Sequence, residues 1–151
     1  MEPMIDQKYV KELGELTFGL LKKCHEKEER LASQFKITVP EFRCVRMFRD
    51  DTQLHIKTLI ERVDLSSSRL SRILESLEDK GFITRKLDRS DRRSIIVSLT
   101  KKGVSLVGGL EERFMEVHSD ILNGVPENMH EPLTSGLRDL LGSLNRWLDE
   151  S

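Results

Sequence analysis

Ten residues in the middle of the chain have the types and spacing to grip a polyanion. Ser66, Ser67, Ser68, Arg69, Ser71 and Arg72 form one cluster, and Arg89, Asp91, Arg92 and Arg93 form another. An arginine can bind guanine O6 and N7 bidentately, and short hydroxyls allow close approach to a base edge. Free backbone amides at a helix start, here near Ser66 and Ser67, can hold a phosphate. An arginine-rich tip has a different use, because a narrow minor groove carries enhanced negative potential that attracts inserted arginine. Asp91 stands at a spacing from Arg93 that lets it brace the arginine side chain and hold it extended. Arg92 or Arg89 is then left for backbone phosphate, and Arg69 is a second candidate for such a contact beside Arg72. The chemistry indicated is non-covalent recognition of double-stranded DNA.

Other chemistries find no residues. The sequence has no phosphate loop, no serine or cysteine nucleophile with a visible base, and no metal-dependent motif, so no enzyme, cofactor or metal is expected. His25, His55, His118 and His130 form no close ligand pair, and His118 stands alone in its helix. Cys24 and Cys44 are not spaced as a redox or metal pair and read as inert core thiols, which fits a reducing cytoplasm. Apolar runs such as Leu16 to Leu21 are far below the ~20 residues a membrane helix needs. Met1 to Lys8 lacks the basic-then-apolar order of a secretory signal.

Charge distribution supports the DNA reading where the total does not. The formal net charge is −1, yet Arg62 to Lys102 holds 11 Lys and Arg against 6 Asp and Glu. The rest of the chain holds 14 basic and 20 acidic residues. A basic middle between acidic flanks is a localised footprint, and the field near the phosphates matters more than the sum.

The elements that must position these residues can be read from periodicity. A long helix is expected from Asp6 to Phe35, with Val10, Leu13, Leu16, Leu20, Cys24, Leu31 and Phe35 recurring at helical spacing. Thr38 and Glu41 form a capping-box pattern with Pro40 in the permissive first turn, starting a second helix that Asp50-Asp51 ends. Phe42, Val45, Met47 and Phe48 are its packing residues. Leu54 to Val63 is expected as a third helix, followed by a tight connection, Asp64-Leu65-Ser66. Ser66 caps a fourth helix that runs to Lys80 and stops at Gly81, with Leu70, Ile73, Leu74 and Leu77 as its apolar stripe. Phe82 to Leu87 and Ile95 to Leu99 read as strands flanking the charged tip from Asp88 to Ser94. Thr100 caps a fifth helix through Asn123, and Pro126 opens a last helix that reaches Trp147 and Leu148.

Helix, tight turn, helix, then a hairpin with a basic tip is the order of a winged helix-turn-helix, whose second helix lies in the major groove. An ordinary amphipathic helix has the same polar outer face, so the helix alone decides nothing. The hairpin decides, because a tip this basic and this short is not needed for packing.

Over nearly its whole length the chain resembles the MarR family of winged-helix regulators. "VPEFRCVRMF" is similar to the family's second helix, and "LHIKTLIERVDLSSSRLSRILESLEDKGFITRK" to its helix-turn-helix. "DRSDRRSIIVSLTKKG" resembles its wing, with the aspartate–x–arginine tip at Asp91 and Arg93. The helix start that follows matches at Leu99, Thr100 and Gly103. The resemblance implies an obligate homodimer in which the N-terminal helix and two C-terminal helices intertwine. It also implies two winged lobes that meet successive major grooves of a near-palindromic operator. Leu106, Leu110, Phe114 and Val117, with Leu137, Leu140, Leu141, Leu144 and Trp147, form apolar rows that one small lobe cannot easily cover, which independently calls for a partner.

The expected fold is mainly α with a small β-wing. Residues 38–100 form the winged helix-turn-helix lobe, and residues 1–37 with 101–151 form the helical dimerisation region. The expected function is sequence-specific transcriptional regulation, as a repressor released when a small-molecule effector enters the crevice between dimer helices and winged lobe. The alternative is a winged-helix protein-interaction module that never binds DNA, which needs neither the basic middle nor the arginine tip.

Overall fold

The computed structural model describes residues 4–63 and 65–151. Asp6 starts the first helix, α1 (Gln7–Gln34), by accepting a hydrogen bond from the Lys8 amide at 2.8 Å. Only the far end of α1 is packed: Leu31 and Ala32 are buried, while Val10, Leu13, Leu16 and Leu20 stay exposed. The capping box at Thr38 is present in both directions. Thr38 Oγ1 accepts from the Glu41 amide at 3.2 Å, and Glu41 Oε2 accepts from the Thr38 amide at 3.0 Å. Such a cap is worth about 1 kcal/mol and starts α2 (Val39–Arg46). This helix ends before the expected Asp50-Asp51 stop. Residues 47–50 turn instead, with Arg49 at φ 54, while Phe42, Val45 and Phe48 are buried as expected.

The third helix corrects the sequence reading. Leu54 belongs to a strand, β1 (Gln53–His55), and α3 (Ile56–Val63) begins only after it. A strand this short has no periodicity of its own, and it exists because a strand far along the chain pairs with it. Asp64, in the expected tight connection, lies outside the described residues.

Ser66 caps α4 (Ser67–Asp79) by accepting from the Arg69 amide at 3.4 Å. Leu70, Leu74 and Leu77 are fully buried, and Ile73 is half-buried. Gly81, at φ 82, stops the helix in the left-handed conformation that glycine adopts without a Cβ clash. β2 (Ile83–Leu87) and β3 (Ile95–Leu99) follow as an antiparallel hairpin, with Ile83 opposite Leu99 and Leu87 opposite Ile95. β1 pairs antiparallel with the other side of β3, Leu54 opposite Val97, so the sheet order is β1-β3-β2.

Thr100 does double duty at the start of α5 (Lys101–Asn123). Its hydroxyl donates to the Gly81 carbonyl at 2.6 Å and accepts from the Gly103 amide at 3.0 Å. A Cβ on Gly103 would lie 2.0 Å from the Phe82 carbonyl oxygen, so this position admits no side chain. The lobe's core gathers Leu31, Phe42, Phe48, Leu59, Leu74 and Val97, each nearly or fully buried. Leu106 and Leu110 join that core, which corrects their assignment to an uncovered row. Phe114 and Val117 are only half-buried.

The chain divides into two compact units, residues 1–111 and 112–151, with the boundary inside α5. In the second unit Pro126 precedes a 3-10 turn (Glu127–Met129) rather than opening the last helix, α6 (His130–Glu150). His130 Nε2 lies 3.1 Å from the Leu122 carbonyl oxygen and 2.8 Å from that of Val125, so its N–H serves acceptors left at the end of α5. Leu137, Leu141, Leu144 and Trp147 of α6 are exposed. No helix among the described residues is long and apolar enough to cross a membrane.

Candidate nucleic-acid interface

The orientation of α4 follows from its stripe. With Leu70, Leu74 and Leu77 locked in the core, Ser66, Ser67, Ser68, Arg69, Ser71 and Arg72 are all exposed. The first turn carries no acidic residue that would compete with a phosphate for its amides. Two contacts fix the far end of the helix. Glu78 accepts from the Arg85 amide at 3.1 Å, and its other oxygen lies 3.3 Å from Arg85 Nη2, which ties α4 to β2 of the wing. Hydrogen bonds from Arg85 hold the Glu78 carboxyl below its ordinary range.

A second clamp joins α4 to α2. Glu41 is 2 % exposed, yet it is charged and fully partnered. Its carboxylate accepts from Ser76 Oγ at 2.5 Å and Lys80 Nζ at 2.7 Å, besides the Thr38 amide. Burial pushes this carboxyl up, but the bonds from Lys80, Ser76 and Thr38 outweigh it and hold it below the usual range. The sequence identified Glu41 only as a capping residue. Its hold on Ser76 and Lys80 crosses two helices, and no local spacing announces it.

The wing tip is exposed at Arg89, Asp91, Arg92 and Arg93. Asp91 meets Arg93 differently from the sequence expectation: its Oδ1 accepts from the Arg93 backbone amide at 3.0 Å. The aspartate therefore shapes the turn that carries the arginine, and no ion pair joins their charged ends among the described residues. The helix cluster and the tip belong to separate elements of one lobe, with no hydrogen bond or ion pair directly between them among the described residues.

Two groups of arginines bear on the interface. Arg43, Arg62 and Arg85 pair with Glu28, Asp51 and Glu78. Arg69, Arg72, Arg89, Arg92 and Arg93 have no ion pair among the described residues. The first set builds the lobe, and the second is left over.

A cavity of about 670 Å³ opens beside the same lobe, between the end of α2, the turn after it, the end of β3 and the first half of α5. Val45, Met47, Leu99 and Val107 give it apolar walls, and Arg49 and Glu111 give it charge. Its size is within the range of small-molecule sites. The two thiols differ from each other. Cys44 is buried, and burial, with the Glu41 charge nearby, pushes its thiol up to about 12. Cys24 is exposed, which corrects its reading as a core thiol.

Comparison with known proteins adds to this geometry. The family model described as MarR family matches residues 37–95. The organic hydroperoxide resistance transcriptional regulator of Bacillus subtilis is 30% identical over 119 residues, covering 77% of this chain and 78% of that protein. The HTH-type transcriptional regulator SarZ of Staphylococcus aureus is 26% identical over 131 residues, 87% of each chain. A solved structure of reduced AbfR bound to DNA shares the fold, with a TM-score of 0.69, 20% identity, and coverage of 94% of this chain and 96% of that one.

Proposed function

This chain belongs to the MarR family and is a DNA-binding transcriptional regulator; on that premise we propose that it acts as a homodimeric repressor released by a small-molecule effector. Residues 38–100 present the DNA-reading surface, and residues 1–37 with 101–151 carry the dimer contacts. Arg72 reads a base edge in the major groove, Ser68 and Ser71 allow the approach, and Ser66, Ser67 and Arg69 hold phosphate. Arg93 enters the minor groove, with Arg89 or Arg92 on the backbone. The observation that carries this reading is the set of five exposed arginines without carboxylate partners among the described residues, on a helix and a hairpin whose reverse faces are buried or clamped.

Release follows from where the cavity lies. Val45 and Met47 line it from the end of α2, and the start of α2 holds α4 through Glu41. An amphipathic small molecule that displaces α2 moves the recognition helices away from the spacing of adjacent grooves, which is a population shift.

Titration of the protein into a mixed-sequence duplex at several salt concentrations tests the reading. Affinity falls with salt, and Arg93→Ala flattens the dependence by about one unit of slope per subunit. On an operator, Arg72→Ala costs about 1–3 kcal/mol and relaxes the preference at one base pair of each half-site. A protein with no salt-dependent DNA affinity is an interaction module instead.

A further inference from the structure

We propose that His55, on β1, is a positioning residue that holds the wing in its DNA-binding orientation. The inference rests on the reading above that the wing meets DNA. The sheet order places β1 on the side of β3 away from β2, with His55 opposite Ile96. From there His55 Nδ1 lies 3.1 Å from Ser94 Oγ and 3.9 Å from Asp88 Oδ2. These two residues are the neck of the hairpin: the Asp88 amide donates to the Ser94 carbonyl at 2.9 Å, and the charged tip begins beyond them. One imidazole thus touches both legs of the wing where they leave the sheet.

The contacts continue into the tip. Asp88 Oδ1 accepts from the Ser90 amide at 3.0 Å and the Ser90 hydroxyl at 2.8 Å. The Ser94 amide donates to the Asp91 carbonyl at 2.9 Å, and Asp91 in turn holds the Arg93 amide. The Asp88 carboxylate beside the ring favours the tautomer with its proton on Nδ1, which then donates to Ser94 Oγ. Hydrogen bonds from the Ser90 amide and hydroxyl hold the Asp88 carboxyl below its ordinary range.

His55 has no evident packing role. Its side chain is 53% exposed, whereas Leu54, the residue before it, supplies the apolar contact of β1. What it restrains is the tip of the ribbon: residues 89–93 lie beyond the last paired residues, Leu87 and Ile95, and have no strand ladder of their own. Holding the ribbon before DNA arrives removes an ordering cost from binding.

The test uses the full chain and an A·T-rich duplex of about 40 base pairs, long enough for two half-sites a helical turn apart. His55→Ala is expected to weaken binding roughly three- to tenfold, the size of one lost restraint. His55→Asn, whose amide can still donate to Ser94, restores most of the loss. In an Arg93→Ala background His55→Ala costs less than it does in the wild type, because the group placed in the minor groove is gone and only the backbone contact of Arg89 or Arg92 is left to position. Equal losses in both backgrounds, or no rescue by asparagine, mean that His55 contacts DNA or merely supports the fold, and the proposal fails. Arg93→Ala without any loss sinks the wing reading and this proposal together. A normal Arg93→Ala loss with none from His55→Ala sinks this proposal alone.

Discussion

Helices α4 and α6 carry the same kind of apolar stripe, and the chain treats them oppositely. Leu70, Leu74 and Leu77 of α4 are 0% exposed, on a helix that packs against the chain's own α2 and β2. Leu141, Leu144 and Trp147 of α6 are 60%, 50% and 62% exposed. The same contrast runs within α1, whose Leu31 is buried while Leu13 and Leu16 are not. A stripe covered by its own chain fixes what faces outward, and in α4 that is Ser68, Arg69 and Arg72. A stripe left open calls for a second surface. The lobe therefore covers its own stripe, and the proposed dimer supplies the second surface that the terminal helices lack.

The sharpest way to break this comparison is to make one substitution on each helix. Leu74→Ala removes a fully buried side chain and should cost about 2–5 kcal/mol in urea unfolding, at every protein concentration. Glu41→Ala comes next. It strands Lys80, Ser76 and the Thr38 amide, for a loss of about 2–3 kcal/mol. Because the Glu41 carboxyl is held below 4.5, its contribution is complete above that pH and fades as the pH falls through its depressed value. Denaturant midpoints should therefore separate wild type from Glu41→Ala at neutral pH and converge in acid. Leu141→Ala should leave the lobe intact and raise the dimer dissociation constant by about tenfold, equivalent to about 1.4 kcal/mol, as read by sedimentation. A loss for Leu141→Ala that does not depend on concentration contradicts the partner-copy account.

The smallest effect concerns the thiols. Cys44, with its thiol pushed up to about 12 inside the lobe, should react with a maleimide only as fast as the lobe opens. Leu74→Ala should speed that reaction, and Leu141→Ala should not. Mass spectrometry of timed samples checks both.

What could be read from the sequence depended on how locally each feature is encoded. Thr38 with Glu41, Ser66 before Arg69, and Gly81 after α4 lie within a turn of what they cap, and each was legible. β1 was not, because Gln53, Leu54 and His55 become a strand only by pairing with β3. Glu41's hold on Ser76 and Lys80, and the burial of Leu106 and Leu110, were hidden for the same reason: the partners are distant in sequence. Asp91 was legible as a brace but not in its manner. Spacing brought it to Arg93 and was read as a hold on the guanidinium, whereas the carboxylate takes the backbone amide. The outward cluster on α4 was legible because its complement, Leu70, Leu74 and Leu77, follows the helical period without a break.

Selection of bound sequences from random duplex DNA tests the central claim most directly. A lobe carried twice by a dimer should enrich two half-sites related by a two-fold axis. Their centres should be about one helical turn apart, 10–10.5 base pairs, or a multiple of it. Enrichment of a single unsymmetrical site, or no enrichment at all, would contradict the claim that this chain reads DNA as a pair.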